Sequence, residues 1–238
     1  MHSVSRRRFL ITASASLAAA SITLGDEERT PILLDHILLG SSNLDDGIAF
    51  VERSTGVRAA FGGVHPGAGT QNALLSLGRN RYLEIIAPDP NQPATDDVRD
   101  LRGLENPVLV GWAAHPGNIE VFATLLRDKG IEAIGPKPGS RKRPDGRVLN
   151  WKTLALKDNA EGLLPFFIEW GAGSIHPSVD APQGCSLELF EAATTAQEFI
   201  ELQHQADQLQ LDLPITKART AHLHAIIAGP KGRLDITF

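Results

Sequence analysis

One pattern recurs along the chain. Beyond residue 30 an apolar run suited to a strand, an amphipathic helix and two or three further strands follow one another three times, over roughly residues 32–90, 107–172 and 184–238. A periodic repeat of this size predicts like units stacked on a common core, because no single unit can bury its own apolar face. No long Gly/Ser or Pro-rich linker separates the units, so residues 30–238 are expected to pack as one domain, the third unit forming an appendage on a two-unit barrel.

Within the first unit, Ile32 to Leu39 is nearly continuously apolar, as expected of a strand covered on both faces. Leu44, Ile48, Val51 and Thr55 then share one helical face, with Asn43 as cap and Gly56 as stop. Asn72 to Leu77 and Arg81 to Ala87 read as a hairpin across Gly78-Arg79-Asn80. The second unit repeats this order with Leu109 to Ala114, a helix striped by Ile119, Phe122, Ala123 and Leu126 behind the cap Asn118, and strands over Val148 to Leu156 and Leu164 to Trp170. Between them, Gly135 to Gly146 reads as an exposed loop, either a flap over a site or a plain surface hairpin. The third unit offers a strand at Ser186 to Glu191 and a helix lined by Phe199, Leu202, Ala206 and Leu209. Short strands follow near Pro214 to Lys217, His222 to Ala228 and Arg233 to Phe238.

The chain of 238 residues is 42% hydrophobic and 21% charged, enough apolar material for a real core. Its formal net charge of −5 puts no concentrated positive field on the surface, and Arg141-Lys142-Arg143 is too short to change that, so nucleic acid is not an expected partner. A lone cysteine, Cys185, excludes an internal disulfide and reads as a small apolar strand residue. The N-terminus is distinctive. Ser5-Arg6-Arg7-Arg8-Phe9-Leu10, an Ala/Ser-rich apolar run to Leu24 and then Asp26-Glu27-Glu28-Arg29 resemble a twin-arginine export signal. The run is shorter than the ~20 residues that span a bilayer core, so an export signal over 1–25 and a periplasmic mature protein are expected, with a membrane anchor as the alternative.

Leu34-Asp35-His36-Ile37, the run Gly62 to Leu75, Tyr82-Leu83-Glu84-Ile85-Ile86-Ala87-Pro88, Leu164 to Trp170 and His176-Pro177-Ser178 make the chain similar to glyoxalase-like proteins of the vicinal oxygen chelate superfamily. That resemblance implies an α+β fold in which βαβββ units form a U-shaped, incompletely closed mixed β-barrel with flanking helices. It also implies a divalent metal holding two adjacent substrate oxygens, ligated in this chain by His36, Glu84 and Glu169. Strand parity agrees, since Leu34, His36 and Leu38 share a face, as do Tyr82, Glu84 and Ile86, and Phe167, Glu169 and Gly171. At the fourth position Gly111 stands opposite His36, leaving a gap in the ligand set.

An acidic residue inside an apolar strand is costly unless paired or ligated, which draws attention to Glu84 and Glu169. The glycine-rich segment Gly62 to Asn72 lets backbone approach a ligand closely, with Thr70 and Asn72 as substrate contacts and His65 as the proton-transfer group. A wide connection between two strands is the alternative. His176 is expected over the cleft mouth as a further substrate contact, whereas Trp112 and Trp170 read as core and His222 and His224 as solvent-facing. No Gly-x-Ser-x-Gly elbow, phosphate loop, Cys-x-x-Cys pair or dinucleotide fingerprint is present. The expected function is therefore that of a small-molecule enzyme acting on a carbonyl or vicinal-oxygen compound. A non-catalytic protein sequestering a small molecule in the same cleft is the alternative, and a homodimer is compatible with either.

Overall fold

A computed structural model describes residues 33–93, 101–143 and 145–237. The expected export signal lies outside the described residues. The first unit runs β1 (Leu34–Gly40), α1 (Leu44–Thr55), β2 (Ala60–His65), β3 (Thr70–Gly78) and β4 (Arg81–Pro88), and the second β5 (Val108–Ala114), α2 (Ile119–Asp128), β6 (Ala133–Lys142), β7 (Val148–Leu156) and β8 (Phe166–Trp170). Together their strands form one sheet of eight in the order β2-β3-β4-β1-β5-β8-β7-β6. In each unit the first strand pairs parallel with the last, and β1 and β5 join the halves antiparallel. The sheet curls until its edges β2 and β6 approach each other without pairing, which is the U-shaped open barrel the resemblance implies.

The helices pack outside the curl for the reasons their sequences carry. Asn43 accepts from the backbone N–H groups of Asp45 (2.8 Å) and Asp46 (3.3 Å), and Gly56 closes α1 at φ 81°, a left-handed value natural to glycine. Leu44, Ile48 and Val51 are buried against the sheet. In α2, capped by Asn118, Phe122 meets Phe167 of β8 with ring centroids 4.5 Å apart. That contact makes the Phe167 face of β8 the helix face.

Two segments differ from the sequence reading. Residues 60–65 and 133–142 are strands rather than connections, because each is the outer member of a hairpin and takes its structure from its partner, β3 or β7, rather than from its own Gly- and Pro-rich sequence. Cys185 is buried immediately ahead of a strand, not within it.

The third unit keeps the element order but changes the pairing. After α3 (Pro177–Asp180) come β9 (Ser186–Thr194), α4 (Phe199–Gln208), β10 (Ile215–Lys217), β11 (His222–Ala228) and β12 (Arg233–Thr237), in a separate sheet ordered β10-β9-β11-β12. Here the first strand's parallel partner is β10, which directly follows the helix. The sheet alternates buried with half-buried residues along β11 and with exposed ones along β12, so one face is covered and the other is more open. The covered face joins the apolar core of the barrel, where Phe190 lies edge-on to Trp112 at 5.3 Å. Trp112 is core, as its sequence suggests, and donates to the Leu163 carbonyl at 2.9 Å.

Candidate active site

The inner face of the curled sheet encloses a cavity of about 510 Å³, within the range of small-molecule sites. Aromatic rings form much of its wall. Tyr82 stacks on His36 at 4.5 Å, Phe166 meets the same imidazole edge-on at 5.6 Å, and Trp151 and Trp170 stand edge-to-face at 5.8 Å. A larger depression of about 990 Å³ lies beside α1, but it gathers none of the histidines or buried carboxylates described next.

Four of the residues singled out from sequence, His36, His65, Asn72 and Glu84, converge here. Glu84 Oε2 is 3.5 Å from His36 Nε2, and Glu84 Oε1 is 3.7 Å from His65 Nε2. Asn72 sits between them, its Nδ2 donating to Glu84 Oε1 at 2.8 Å and lying 3.3 Å from His65 Nε2. Arg141 fixes the direction of that amide. Its Nη1 donates to Asn72 Oδ1 at 3.1 Å, and a guanidinium can only donate, so the other amide atom must be the NH2 group. Both Asn72 N–H groups then face acceptors, Glu84 and His65. His65 Nε2 accepts, so its proton is on Nδ1 and is donated to Thr70 Oγ1 at 2.9 Å. His65 is thereby held as a neutral imidazole with a lone pair in the cavity. Burial, helped by the charges of Arg141 and His36 and opposed by Glu84, keeps it below the ordinary histidine value. Burial works against ionisation of Glu84, yet His65, His36, the Asn72 hydrogen bond and Arg141 outweigh it and hold the carboxyl below its usual value.

Glycine makes this arrangement sterically feasible. A Cβ on Gly62 would sit 2.4 Å from Asn72 Oδ1 and 2.5 Å from Arg141 Nη1. The space a side chain would fill is occupied by the hydrogen bond that sets the tautomer.

Asp35 is the residue the sequence reading missed. Strict alternation puts it on the face opposite His36, but the pairing of β1 with β5 shifts register between Leu34 and His36, and this bulge turns Asp35 inward. Its Oδ1 lies 2.7 Å from His36 Nδ1, and its Oδ2 accepts from Trp170 Nε1 at 3.0 Å and lies 3.2 Å from His176 Nε2. Burial opposes ionisation here too, but the hydrogen bonds from His176 and His36 and the electrostatic attraction of both rings hold the carboxyl well below the usual carboxylate range. An anionic Asp35 accepts the Nδ1 proton of His36 and leaves Nε2 facing Glu84 and the cavity.

Several expectations need correction. Glu169 does not face the cavity: its Oε2 accepts from the backbone N–H of Ile119 at 2.6 Å, at the N-terminus of α2. The parity of β8 was right and its polarity reversed, because Phe167 packs on Phe122 and carries Glu169 to the helix side. Phe166, Ile168 and Trp170 line the cavity instead, so Trp170 is a wall residue rather than core. His176 caps α3, accepts from Ser178 N at 3.2 Å and buttresses Asp35 rather than lining the cavity. Thr70 stands behind His65 as its hydrogen-bond partner and is not part of the cavity lining. The Gly135–Gly146 segment lines the site, with Pro138, Gly139, Ser140 and Arg141 on its wall. On the second sheet His224 lies between Glu191 (3.4 Å) and Asp235 (2.9 Å), partly buried rather than free in solvent.

The register explains the missing ligands. In the parallel pairs Glu84 is opposite Leu38 and Phe166 is opposite Ala113, and Leu38 and Ala113 stand equally far ahead of the helices that follow them. Phe166 is thus the second unit's counterpart of Glu84, as Gly111 is of His36. The second half of the barrel supplies a phenyl ring and a hydrogen where the first supplies a carboxylate and an imidazole. Among the described residues no group of three or more His, Cys, Asp or Glu side chains could hold a metal ion. At the floor of the cavity, Asn72 N–H groups and the Arg141 guanidinium are directed at the lone pairs a cation would need. The donor set does not fit the expected divalent metal.

A family model described as a glyoxalase-like domain matches residues 34–209. The chain belongs to the glyoxalase-like domain family. None of the curated proteins matches it. Among solved structures, a hypothetical protein from Staphylococcus aureus is similar at 17% identity and TM-score 0.57, over 86% of this chain and 84% of that one. Methylmalonyl-CoA epimerase from Streptomyces coelicolor, a variant in complex with 2-nitronate-propionyl-CoA, aligns at 18% identity and TM-score 0.45, over 61% of this chain and 99% of its own. The epimerase from Mycobacterium tuberculosis aligns at 16% identity and TM-score 0.42, over 60% and 89%. At 17% identity the first of these likenesses concerns the fold alone.

Proposed function

We propose that this glyoxalase-like protein is a small-molecule enzyme that removes and returns a proton on a carbon beside a carbonyl or other vicinal-oxygen group. The observation that carries the reading is the convergence of His65, Glu84 and His36 on one aromatic-walled cavity, His65 neutral with its Nε2 lone pair directed inward. In this reading His65 Nε2, on displacement of the Asn72 N–H, takes the proton; the electron pair of the broken C–H bond moves onto the carbonyl oxygen as an enolate, and the imidazolium, whose proton exchanges with solvent, returns a proton to carbon. The step is redox-neutral. Glu84 lies close enough to stabilise the imidazolium that His65 becomes. Asp35 orients His36, whose Nε2 lone pair can accept from a hydroxyl of the substrate.

Solvent-deuterium exchange into a panel of α-keto and hemithioacetal compounds, followed by proton NMR, tests this. Wild type should exchange, and His65→Gln should lose roughly 10²–10⁴ in rate. Exchange at the wild-type rate in both His65→Gln and Glu84→Gln would sink the reading. The rings of Tyr82, Trp151, Phe166 and Trp170 around the cavity favour a second reading, sequestration without turnover. It gains if tight binding survives in the variants while wild type exchanges nothing.

In this reading no step is routed through the divalent metal implied by the resemblance. One equivalent of metal per chain, found by elemental analysis after purification without chelator, would replace this mechanism with a metal-centred one. We place the reaction outside the cytoplasm, on the strength of the twin-arginine-like run at Arg6-Arg7.

A further inference from the structure

Arg141 is buried to 3% exposure on β6, the edge strand facing β2 across the open seam of the barrel. A guanidinium in such a place is costly unless its donors are satisfied. Among the described residues no carboxylate lies within ion-pair distance of it, and its guanidinium makes one hydrogen bond, to a neutral amide, Asn72 Oδ1. Yet no buried side-chain nitrogen or oxygen among the described residues lacks a partner. The remaining N–H groups of Arg141 therefore keep some accessible surface, and Arg141 is part of the cavity wall. Arg141 is also the single arginine or lysine among the lining residues.

From this geometry we propose that Arg141 is the anion-binding residue of the cavity, and that the substrate is a small carbonyl compound carrying a carboxylate next to its reacting centre. The proposal rests on the function proposed above and names its substrate class. A planar guanidinium with free parallel donors matches a carboxylate in bidentate fashion. One cation suits one negative charge, whereas a phosphoryl dianion calls for several donors or a helix N-terminus. The position follows from the relay: a single carboxamide, that of Asn72, separates Arg141 from Glu84 and His65. A carboxylate held by Arg141 therefore leaves the C–H carbon on the far side of the neighbouring carbonyl within reach of His65, and the Asn72 amide keeps that carboxylate apart from Glu84.

The test is binding, followed by quenching of the cavity tryptophans, to the full chain and to Arg141→Lys and Arg141→Met. The probes are 2-oxohexanoate, its neutral carboxamide and inorganic phosphate. Wild type should bind the acid about ten- to a hundredfold more tightly than the amide, with phosphate weaker than the acid. Arg141→Met should lose that preference while still binding the amide, and Arg141→Lys should keep only part of it, because an ammonium lacks the fork. Equal affinity of wild type for acid and amide overturns the proposal without any variant, so a misfolded Arg141→Met cannot shelter it. Phosphate binding as tight as the acid, or an unchanged preference in a folded Arg141→Met, overturns it as well. Deuterium exchange is read separately: a clear acid preference without exchange defeats the proton-transfer reading and leaves the anion site standing.

Discussion

Replacing Asp35 by Asn preserves shape and removes one acceptor. Asp35 receives three N–H groups, from His36 at 2.7 Å, Trp170 at 3.0 Å and His176 at 3.2 Å, and is 2% exposed. An asparagine has one oxygen, and indole can only donate. The amide should keep its oxygen towards Trp170 and His176 and present its NH2 to His36. His36 must then move its proton to Nε2, closing the lone pair that faces Glu84. Each bond falls from a charge-assisted value of about 1.5–3 kcal/mol to a neutral one of about 0.5–1.5 kcal/mol. Relief from burying a charge offsets part of this, leaving a loss of about 1–3 kcal/mol. For a chain of this size that corresponds to a fall in Tm of about 2–12 °C. The pH dependence has a definite sign. The folded-state pKa of Asp35 is depressed, so its contribution is complete above the unfolded value of about 3.9 and is lost as pH falls through the folded value. The gap in Tm between wild type and Asp35→Asn should be full at pH 7 and narrow below about pH 4. Long-range proton–nitrogen NMR reads the His36 tautomer directly, and melting followed by circular dichroism reads stability. A His36 that stays protonated on Nδ1 in the variant, with unchanged Tm, would refute this account of the site.

Glu169→Gln should cost about 0.5–2 kcal/mol through the weakened contact at the N-terminus of α2, seen as a lower Tm, while acid and amide binding stay at wild-type values. Gly62→Ala should abolish proton exchange, because the added methyl displaces the Asn72–Arg141 hydrogen bond; circular dichroism would show whether the barrel persists. Since the folded pKa of His65 is lowered, the exchange rate should rise with pH along a limb whose midpoint lies below the ordinary histidine value of about 6.5, and His65→Gln should erase that limb. Replacing Arg6 and Arg7 by Lys should leave precursor in the cytoplasm, as fractionation and blotting would show; unchanged export would exclude the twin-arginine route.

Much of the barrel was legible because its local signals agree with one another. Asn43, Gly56 and Asn118 mark helix ends through backbone chemistry that acts within a few residues, and the apolar runs of β1, β4 and β5 name strands that are covered on both faces. His36, Glu84, His65 and Asn72 stood out because polar groups in apolar or glycine-rich surroundings are costly unless something uses them. Parity alone could not say which face of β8 is the inner one. Two faces satisfy the alternation equally, and the packing of Phe167 on Phe122 from another element decides between them. Asp35 was hidden because a bulge is created by pairing with β5. Arg141 was hidden because its role depends on two sheet edges meeting across the seam, residues far apart in the chain, with Gly62 clearing the space between them. The amino-acid sequence determined the central strands, the helix ends and the supply of acids, bases and aromatic rings, all set by interactions along the chain, whereas the outer strands β2 and β6 took their form from their partners. Only the tertiary structure decided which of those groups share a cavity and which proton each imidazole keeps, since both depend on contacts between distant strands.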